Sequence, residues 1–407
     1  MQTRIPDSLL NTPQGQEADA ILRRCVHCGF CTATCPTYQL LGDELDGPRG
    51  RIYLVKQLLE GREVTRKTQV HLDRCLTCRA CETTCPSGVV YHRLADIGRE
   101  RLEQAVSRPW RERLMRFALR NILPYRNRFS PLVKLGRLVS PLLPSSLKSK
   151  IPPRQTSLPW PAQAHQRSML ILDACVQADG APNTNASAAR VLDRLGVQLI
   201  DAAQAGCCGA VSYHLAQVEE GKGFMRANID AWWPYIESGA EAIVITASGC
   251  GAMVKEYGAV LQHDPDYADR AKRVSELCKD ISEVLQTEDL SALRPQSRGT
   301  RVAFHSPCTL QHGQQIRGGV EGILQKSGYE LSPVPDAHLC CGSAGTYSIL
   351  QNRLARQLLE NKLAALQSGE PEVIATANIG CHLHLQSGTS LPVKHWIELL
   401  EEALPGK

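Results

Sequence analysis

The sequence of 407 residues predicts a mixed fold, in which a mainly helical N-terminal domain precedes a duplicated α/β domain with parallel β-α units. The first quarter of the chain holds one cysteine pattern twice, among apolar residues at helical spacing. The second half repeats a different cysteine set, and short apolar strands alternate there with helices. Between the halves, residues 149–166 are rich in Pro, Ser and Gln, which indicates a domain boundary.

The N-terminal cysteine pattern reads C-x2-C-x2-C-x3-C-P in both copies. The first copy is Cys25, Cys28, Cys31, Cys35 and Pro36, and the second is Cys75, Cys78, Cys81, Cys85 and Pro86. This run is typical of bacterial ferredoxins that hold two [4Fe–4S] clusters, in which the fourth cysteine of each run binds the other cluster. We therefore predict a ferredoxin-like domain with two [4Fe–4S] clusters over residues 1–100.

The exchange of fourth ligands defines two predicted ligand sets. The first set is Cys25, Cys28, Cys31 and Cys85, and the second is Cys75, Cys78, Cys81 and Cys35. Zinc is the main alternative, but zinc sites pair two short elements rather than a triplet with a distant fourth ligand. A disulfide framework is disfavoured, because the 17 cysteines are odd in number and the N-terminus lacks an apolar secretory core. Reduced thiols in the cytoplasm are the better interpretation.

Two arginines lie between the runs, in a segment that leads into a predicted helix over residues 52–59. Arg49 and Arg51 either offset the negative charge of a thiolate-ligated cluster or are solvated loop charges. Further helices are predicted over residues 18–24 and 64–73.

Residues 101–166 are predicted to form a basic helical linker. From residue 99 to residue 154 there are 14 Lys and Arg residues against three acids, and apolar residues recur at helical spacing between prolines. Such a stretch lies on an anionic membrane or an acidic partner, or it packs on its own two domains with its arginines in water. No apolar stretch approaches the ~18 residues that span a bilayer.

The C-terminal half contains two repeats, over residues 167–290 and 300–400. The first repeat has Cys175, Cys207, Cys208 and Cys250, and the second has Cys308, Cys340, Cys341 and Cys381. In both repeats, 31 residues separate the first cysteine from a Cys-Cys-Gly sequence. Strands are predicted over residues 169–172, 243–246, 302–304 and 373–376. Because chemistry in parallel sheets sits beyond the carboxyl ends of the strands, these eight cysteines are predicted to form an additional cluster or redox site. Cys278, on a predicted helix, is interpreted as a packed hydrophobic residue.

The Cys-Cys-Gly units resemble the cysteine-rich domain shared by heterodisulfide reductase subunits and by the iron–sulfur subunits of glycolate, lactate and anaerobic glycerol-3-phosphate dehydrogenases. That domain usually ends in C-x-x-C, whereas one thiolate per repeat is absent here after Cys250 and Cys381. Met253 and His384 offer other donor atoms near these positions. An ordinary four-cysteine cluster and a site that lost its metal are both open.

The complete pattern, including residues 44–54 and 376–381, is similar to the iron–sulfur subunits of bacterial glycolate oxidase from about residue 17 to the C-terminus. The resemblance implies an electron-transfer subunit that receives electrons from a flavin subunit oxidising glycolate, or also D-lactate, and passes them to a membrane acceptor such as quinone. It also implies a peripheral position on the cytoplasmic face of the inner membrane. The alternatives are an iron–sulfur subunit of a lactate or glycerol-3-phosphate dehydrogenase, and a thiol/disulfide reductase subunit of the heterodisulfide reductase type.

The chain shows no sequence signature of catalysis on its own. No G-x-G-x-x-G turn follows a predicted strand, so no flavin or nicotinamide site of the dinucleotide-binding type is predicted. No acid/base constellation suited to C–H oxidation is apparent, so no catalytic residue is assigned. Aromatic residues make up only 5 % of the chain, which argues against a nucleic-acid partner.

Overall fold

The computed structural model describes residues 1–142, 151–297 and 299–405. Its N-terminal part is helical and its C-terminal part contains two four-stranded parallel sheets, which confirms the predicted mixed fold. Residues 143–150 of the predicted linker lie outside the described residues. The α-helices before the first sheet are α1 (Asp7–Leu10), α2 (Pro13–Arg24), α3 (Pro36–Leu41), α4 (Pro48–Leu59), α5 (Arg66–Asp73), α6 (Ala80–Thr83), α7 (Tyr91–Ala105), α8 (Trp110–Ile122) and α9 (Arg126–Val139).

Helices α2, α4 and α7 form the core of the N-terminal part. Their buried apolar residues recur at intervals of three and four, so each helix turns one face inward. Helix α7 approaches α4 closely at Gly98, where a Cβ atom would lie 2.5 Å from the Val55 side chain. The predicted helices over residues 18–24, 52–59 and 64–73 correspond to α2, α4 and α5.

Helices α8 and α9 are the two longest helices that lie within the described part of the linker. They meet at Pro124, as the proline pattern predicts. Pro131 does not divide the segment further, because it lies inside α9, where it removes one helical hydrogen bond without ending the helix.

The two sheets have the same topology. Strands β1 (Arg167–Ile171), β2 (Val197–Asp201), β3 (Ile243–Ile245) and β4 (Cys278–Asp280) are ordered β2-β1-β3-β4. Strands β5 (Arg301–His305), β6 (Glu330–Leu331), β7 (Val373–Thr376) and β8 (Val393–His395) are ordered β6-β5-β7-β8. All described strand pairs are parallel, and β1, β3, β5 and β7 correspond to the predicted strands. The strand order reverses between β1 and β3 and between β5 and β7, which are the positions where parallel α/β sheets generally bind ligands.

Helices connect the strands and cover both sheets. They are α10 (Gln177–Gly180), α11 (Asn183–Asp193), α12 (Ala210–His214), α13 (Val218–Glu237), α14 (Ser248–Val254), α15 (Tyr257–Val260), α16 (Ala268–Leu277), α17 (Ile281–Thr287), α18 (Gly319–Lys326), α19 (Tyr347–Leu350), α20 (Asn352–Gln367), α21 (Ile379–Gln386) and α22 (Trp396–Glu402). The prediction that Cys278 lies on a helix is wrong, since this residue is the first residue of strand β4. The side chain is buried as predicted, and burial raises the pKa of its thiol to about 12.

The two repeats share one apolar core. Met169 and Ile171 of β1 lie in it together with Val302 and Phe304 of β5. Because side chains alternate along a strand, Leu170 of β1 and Ala303 of β5 point to the opposite face of each sheet. That opposite face carries the cysteines: Cys208 belongs to the separate core of the first repeat, and Cys341 and Cys381 belong to that of the second.

The Cys-Cys-Gly turn requires glycine. Gly342 has φ +88°, and a Cβ atom there would lie 2.7 Å from the carbonyl oxygen of Ala355. We expect Gly342→Ala to reduce the free energy of unfolding by about 2 kcal/mol or more, because strained backbone and steric clash add. Denaturation followed by circular dichroism measures this. The matched control is Gly345→Ala, at φ +60° with no heavy atom within 4 Å of the new Cβ. Equal losses in both variants would contradict the steric argument.

Candidate metal centres

The two N-terminal cysteine loops have the same backbone conformation. His27 and Gly29 flank Cys28 with φ of 56° and 87°, and Thr77 and Arg79 flank the matching Cys78 with φ of 52° and 61°. A non-glycine residue in this left-handed region costs about 1 kcal/mol. Such strain persists where surrounding structure requires it, and here it turns successive cysteines of each loop toward one cavity.

The first cavity collects cysteines from both runs. Its lining includes Cys25, Cys28 and Cys31 of the first run and Cys85 of the second. Burial, together with the neighbouring sulfurs of the three other cysteines, raises the pKa of Cys31 to about 11. The structure therefore brings together the first predicted ligand set.

The second cavity adjoins the first. Its lining includes Cys75, Cys78 and Cys81 of the second run and Cys35 of the first. Burial raises the pKa of Cys78 and of Cys81 well above the usual range, and both also lie near the Cys35 and Cys75 sulfurs. Cys81 lines both cavities, as do Pro48 and Tyr91.

The donor atoms of both cavities fit iron. Crowded, buried thiols with raised pKa hold their protons unless positive charge lies among them. The iron of a cluster supplies that charge, and soft thiolate is the ligand that iron–sulfur clusters use.

The sequence left open whether Arg49 and Arg51 lie beside the cysteines or in solvent, and Arg51 lies beside them. Its side chain is 1 % exposed, and its Nη1 lies 4.0 Å from the sulfur of Cys35. Its Nε donates to the carbonyl oxygen of His71 over 2.8 Å. Arg49, in contrast, is partly exposed and pairs with Glu44. The buried arginine thus lies beside Cys35, whereas Arg49 lies in the partly exposed wall of the first cavity.

Arg51 and Arg99 act on the same cysteine. Burial favours the protonated thiol of Cys75, but the two guanidinium groups, together with the Thr77 N–H that donates to its sulfur, outweigh burial and lower the pKa of this residue. Arg99 donates from Nη2 to the Cys75 carbonyl oxygen over 2.8 Å, which fixes its position. Asp46 is fully buried, accepts hydrogen bonds from Arg74 at 2.7 Å and from His71 at 3.0 Å, and lies 3.5 Å from Arg51. Paired positive charge is therefore built into the wall of the second cavity.

The cysteines of each C-terminal repeat also converge. In the first repeat, the Cys207 sulfur is in hydrogen-bonding contact with those of Cys175 and Cys208, and Cys208 is in contact with Cys250. Contact with Cys175, contact with Cys208 and burial together raise the pKa of Cys207. Met253, proposed as another donor, packs in the apolar core of this repeat.

The second repeat has the same chain of contacts. The sulfurs of Cys308 and Cys340 lie 3.8 Å apart, and Cys341 contacts both Cys340 and Cys381. The Nε2 atom of His384 lies 3.3 Å from a backbone carbonyl oxygen of α20. The C-terminal cysteines thus form two groups at the carboxyl ends of β1 and β3 and of β5 and β7.

His305 is a site residue that the sequence reasoning missed. It ends strand β5, and its ring lies with the sulfurs of Cys341 and Cys381. Burial lowers its pKa well below the usual range, so the imidazole is neutral, the form that binds metals. The available signal was a histidine directly after the apolar run over residues 302–304, where the first repeat has Leu172.

The second repeat also contacts the second cavity. Cys78 and Leu76 of the N-terminal loop pack against Cys308 and Cys340. The Tyr347 hydroxyl donates to the carbonyl oxygen of Arg74 over 3.2 Å, which holds the same interface. The cysteine group of the second repeat is therefore adjacent to the Cys78 loop.

The linker helices present an unexpected surface. Several linker arginines turn inward: Arg108, just before α8, pairs with Asp73 at 2.6 Å, and Arg120 of α8 pairs with Glu220. Apolar side chains face outward instead, with exposed fractions of 67 % for Trp110 and 55 % for Phe117. Leu114, Met115, Leu132, Leu135 and Leu138 are exposed as well. The described helices include none with the length and apolar character of a membrane span.

Known proteins resemble the chain along nearly its whole length. Residues 21–89 match a family model described as a 4Fe-4S dicluster domain, and residues 169–255 and 302–386 match a cysteine-rich domain. The chain is 57 % identical over 405 residues to the glycolate oxidase iron-sulfur subunit of Escherichia coli K12, covering 99 % of both. It is 31 % identical over 402 residues to the probable glycolate oxidase iron-sulfur subunit of Bacillus subtilis, covering 90 % of this chain and 89 % of the relative.

A third relative covers less of the chain. Lactate utilization protein A of Geobacillus kaustophilus is 29 % identical over 220 residues, which are 52 % of this chain and 88 % of that protein. The family matches confirm the prediction of [4Fe–4S] clusters and of duplicated cysteine-rich units. With its two cluster loops, its paired cysteine-rich sheets and its full-length similarity, the chain belongs to the family of glycolate oxidase iron–sulfur subunits.

Proposed function

We propose that this chain is the electron-transfer subunit of a complex that oxidises glycolate to glyoxylate. The observation that carries the proposal is the pair of adjacent cavities, each lined by cysteines from both runs. A flavin-binding partner would take two electrons and two protons from glycolate; the electrons would pass to a quinone of the membrane, which would take up two protons from water. When bound, the clusters supply one-electron carriers between these two-electron partners.

The proposed ligands are the two sets that the cavities bring together. One is Cys25, Cys28, Cys31 and Cys85, and the other is Cys75, Cys78, Cys81 and Cys35. Cys28 is exposed, so the first cavity lies near the surface. Arg51 and Arg99 favour negative charge in the second cavity, and we expect them to raise the potential there.

The C-terminal cysteines are proposed as further metal or redox sites, one in each repeat. Their convergence at the switch point of each sheet supports this role. In the second repeat, contact between Cys78 and the Cys308 group supports a connection to the second cavity. The proposed domains are residues 1–100, 101–166, 167–290 and 300–400.

Helices α8 and α9 are proposed to lie on the anionic cytoplasmic surface of the inner membrane. Exposed apolar side chains would enter the boundary between headgroups and acyl chains. Arg111, Arg113 and Lys134 are exposed on the same helices and would attract anionic lipid. This position would bring the chain to a quinone acceptor.

Glycolate should reduce this chain only in the presence of its flavin partner. We expect electron paramagnetic resonance signals of reduced clusters when glycolate is added anaerobically to the complex, because the partner performs the C–H oxidation. The isolated chain with glycolate should show no signal, and dithionite serves as the positive control. Reduction of the isolated chain by glycolate would contradict the proposal.

The exchange of fourth ligands predicts a non-additive pattern of iron loss. Cys28→Ser should remove about four irons. Adding Cys85→Ser should remove no more, because both residues serve one cluster, whereas adding Cys35→Ser should remove about four further irons, those of the second cluster. Iron and sulfide analysis of anaerobically purified protein measures this. Cys278→Ala is the matched control and should retain all iron. The reverse pattern for Cys85 and Cys35 would show that each run holds its own cluster.

The linker surface should bind anionic vesicles. We expect the double variant Leu114→Ser, Phe117→Ser to bind at least about tenfold more weakly in co-sedimentation, because two apolar side chains no longer leave water. Ile349→Ser removes an apolar side chain that is 44 % exposed elsewhere and should not change binding. Unchanged vesicle binding of the double variant would contradict this role. If the double variant still binds vesicles but no longer binds the flavin partner, the surface would be assigned to that partner.

A further inference from the structure

His305 is a buried side chain without a hydrogen-bond partner. It is 2 % exposed, and among the described residues neither Nδ1 nor Nε2 finds a partner. A buried polar group left in this state costs about 1–3 kcal/mol. Its retention at the end of a core strand therefore points to a ligand that the ring would bind.

The surroundings of the ring supply two further donors. The side-chain donor atoms of His305, Cys341 and Cys381 all lie within 4.8 Å of one another. Tetrahedral coordination at ordinary metal–ligand lengths separates two thiolate sulfurs by about 3.8 Å. Three donors from a strand end, the Cys-Cys-Gly turn and helix α21 thus converge at the spacing of a single ion.

The first repeat differs at the corresponding position. Counting back three residues from the first cysteine of each repeat gives Leu172 and His305. Leu172 lies in the apolar core of its repeat together with Cys208. The same backbone position is thus an ordinary core residue in one repeat and an unpartnered imidazole beside two thiols in the other.

We propose that the second repeat holds a transition-metal ion of the class that thiolate and imidazole bind, Zn²⁺ or Fe²⁺, with His305, Cys341 and Cys381 as ligands. Cys340, whose sulfur contacts that of Cys341, offers a fourth ligand. This inference rests on the metal role proposed above for the C-terminal cysteines and adds the ligand that distinguishes the repeats. Iron would make the centre a redox site beside the Cys78 loop, and zinc would make it a structural clamp.

The test is the metal content of the full chain after anaerobic purification with Zn²⁺ or Fe²⁺ supplied. Plasma mass spectrometry gives zinc and iron per chain, and X-ray absorption at the metal edge gives the nitrogen and sulfur ligands. We expect His305→Leu to lose one metal ion per chain, and the leucine should be tolerated because the first repeat carries one at this position. His305→Cys should restore the ion with sulfur in place of nitrogen.

The control is Cys278→Ala, which removes a buried thiol outside the site and should leave the metal content unchanged. Full metal content in folded His305→Leu would overturn the proposal. So would equal loss in Cys278→Ala, since any disturbance of the core would then release the ion. Paramagnetic resonance of the N-terminal clusters should be the same in every variant. Reduction by glycolate tests the electron-transfer proposal through the N-terminal clusters, whereas the metal content of the His305 variants tests the site in the second repeat. Each proposal can therefore fail without the other.

Discussion

Compensation of negative charge is the constraint on which the rest of the N-terminal structure depends. Four thiol sulfurs packed in one buried cavity repel one another as thiolates, and burial adds a further penalty. The iron of the clusters supplies most of the positive charge that these thiolates require, and buried arginine supplies the rest. Arg51 can occupy this position because Asp46, the His71 carbonyl oxygen and the Thr37 hydroxyl satisfy its guanidinium. The loops in turn accept left-handed backbone at non-glycine residues to direct their thiols inward.

The same cavities organise the contact between the N-terminal part and the C-terminal repeats. Apolar packing around Leu76 and Cys78 joins the second loop to the cysteine group of the second repeat. On the other side, His214 lies 3.1 Å from Asp96, and Arg93 donates to the Tyr213 hydroxyl over 3.3 Å. Within the described part of the chain, the cysteines of the second repeat thus adjoin a cluster loop. The unpartnered His305 occurs in that repeat, whereas the first repeat has Leu172 at the matching position.

The linker illustrates why composition alone is ambiguous. A basic stretch with apolar residues at helical spacing fits two orientations, because either face of the helix can turn inward. In the fold, acidic residues such as Asp73 and Glu220 pair with the arginines, and the opposite apolar face is left exposed. Those acids lie far from the helices in sequence, so the orientation could not be read from the segment itself.

The sequence by itself determined the features that arise from local spacing. These are the three-residue interval of the cluster cysteines, the matched Cys-Cys-Gly repeats and the apolar strands that precede the cysteines. Only the tertiary structure decided which of Arg49 and Arg51 is buried beside a cysteine, and which histidine joins the thiols of the second repeat. The physical reason is that burial and donor convergence depend on residues from separate elements, whereas spacing within one loop or strand records only local geometry.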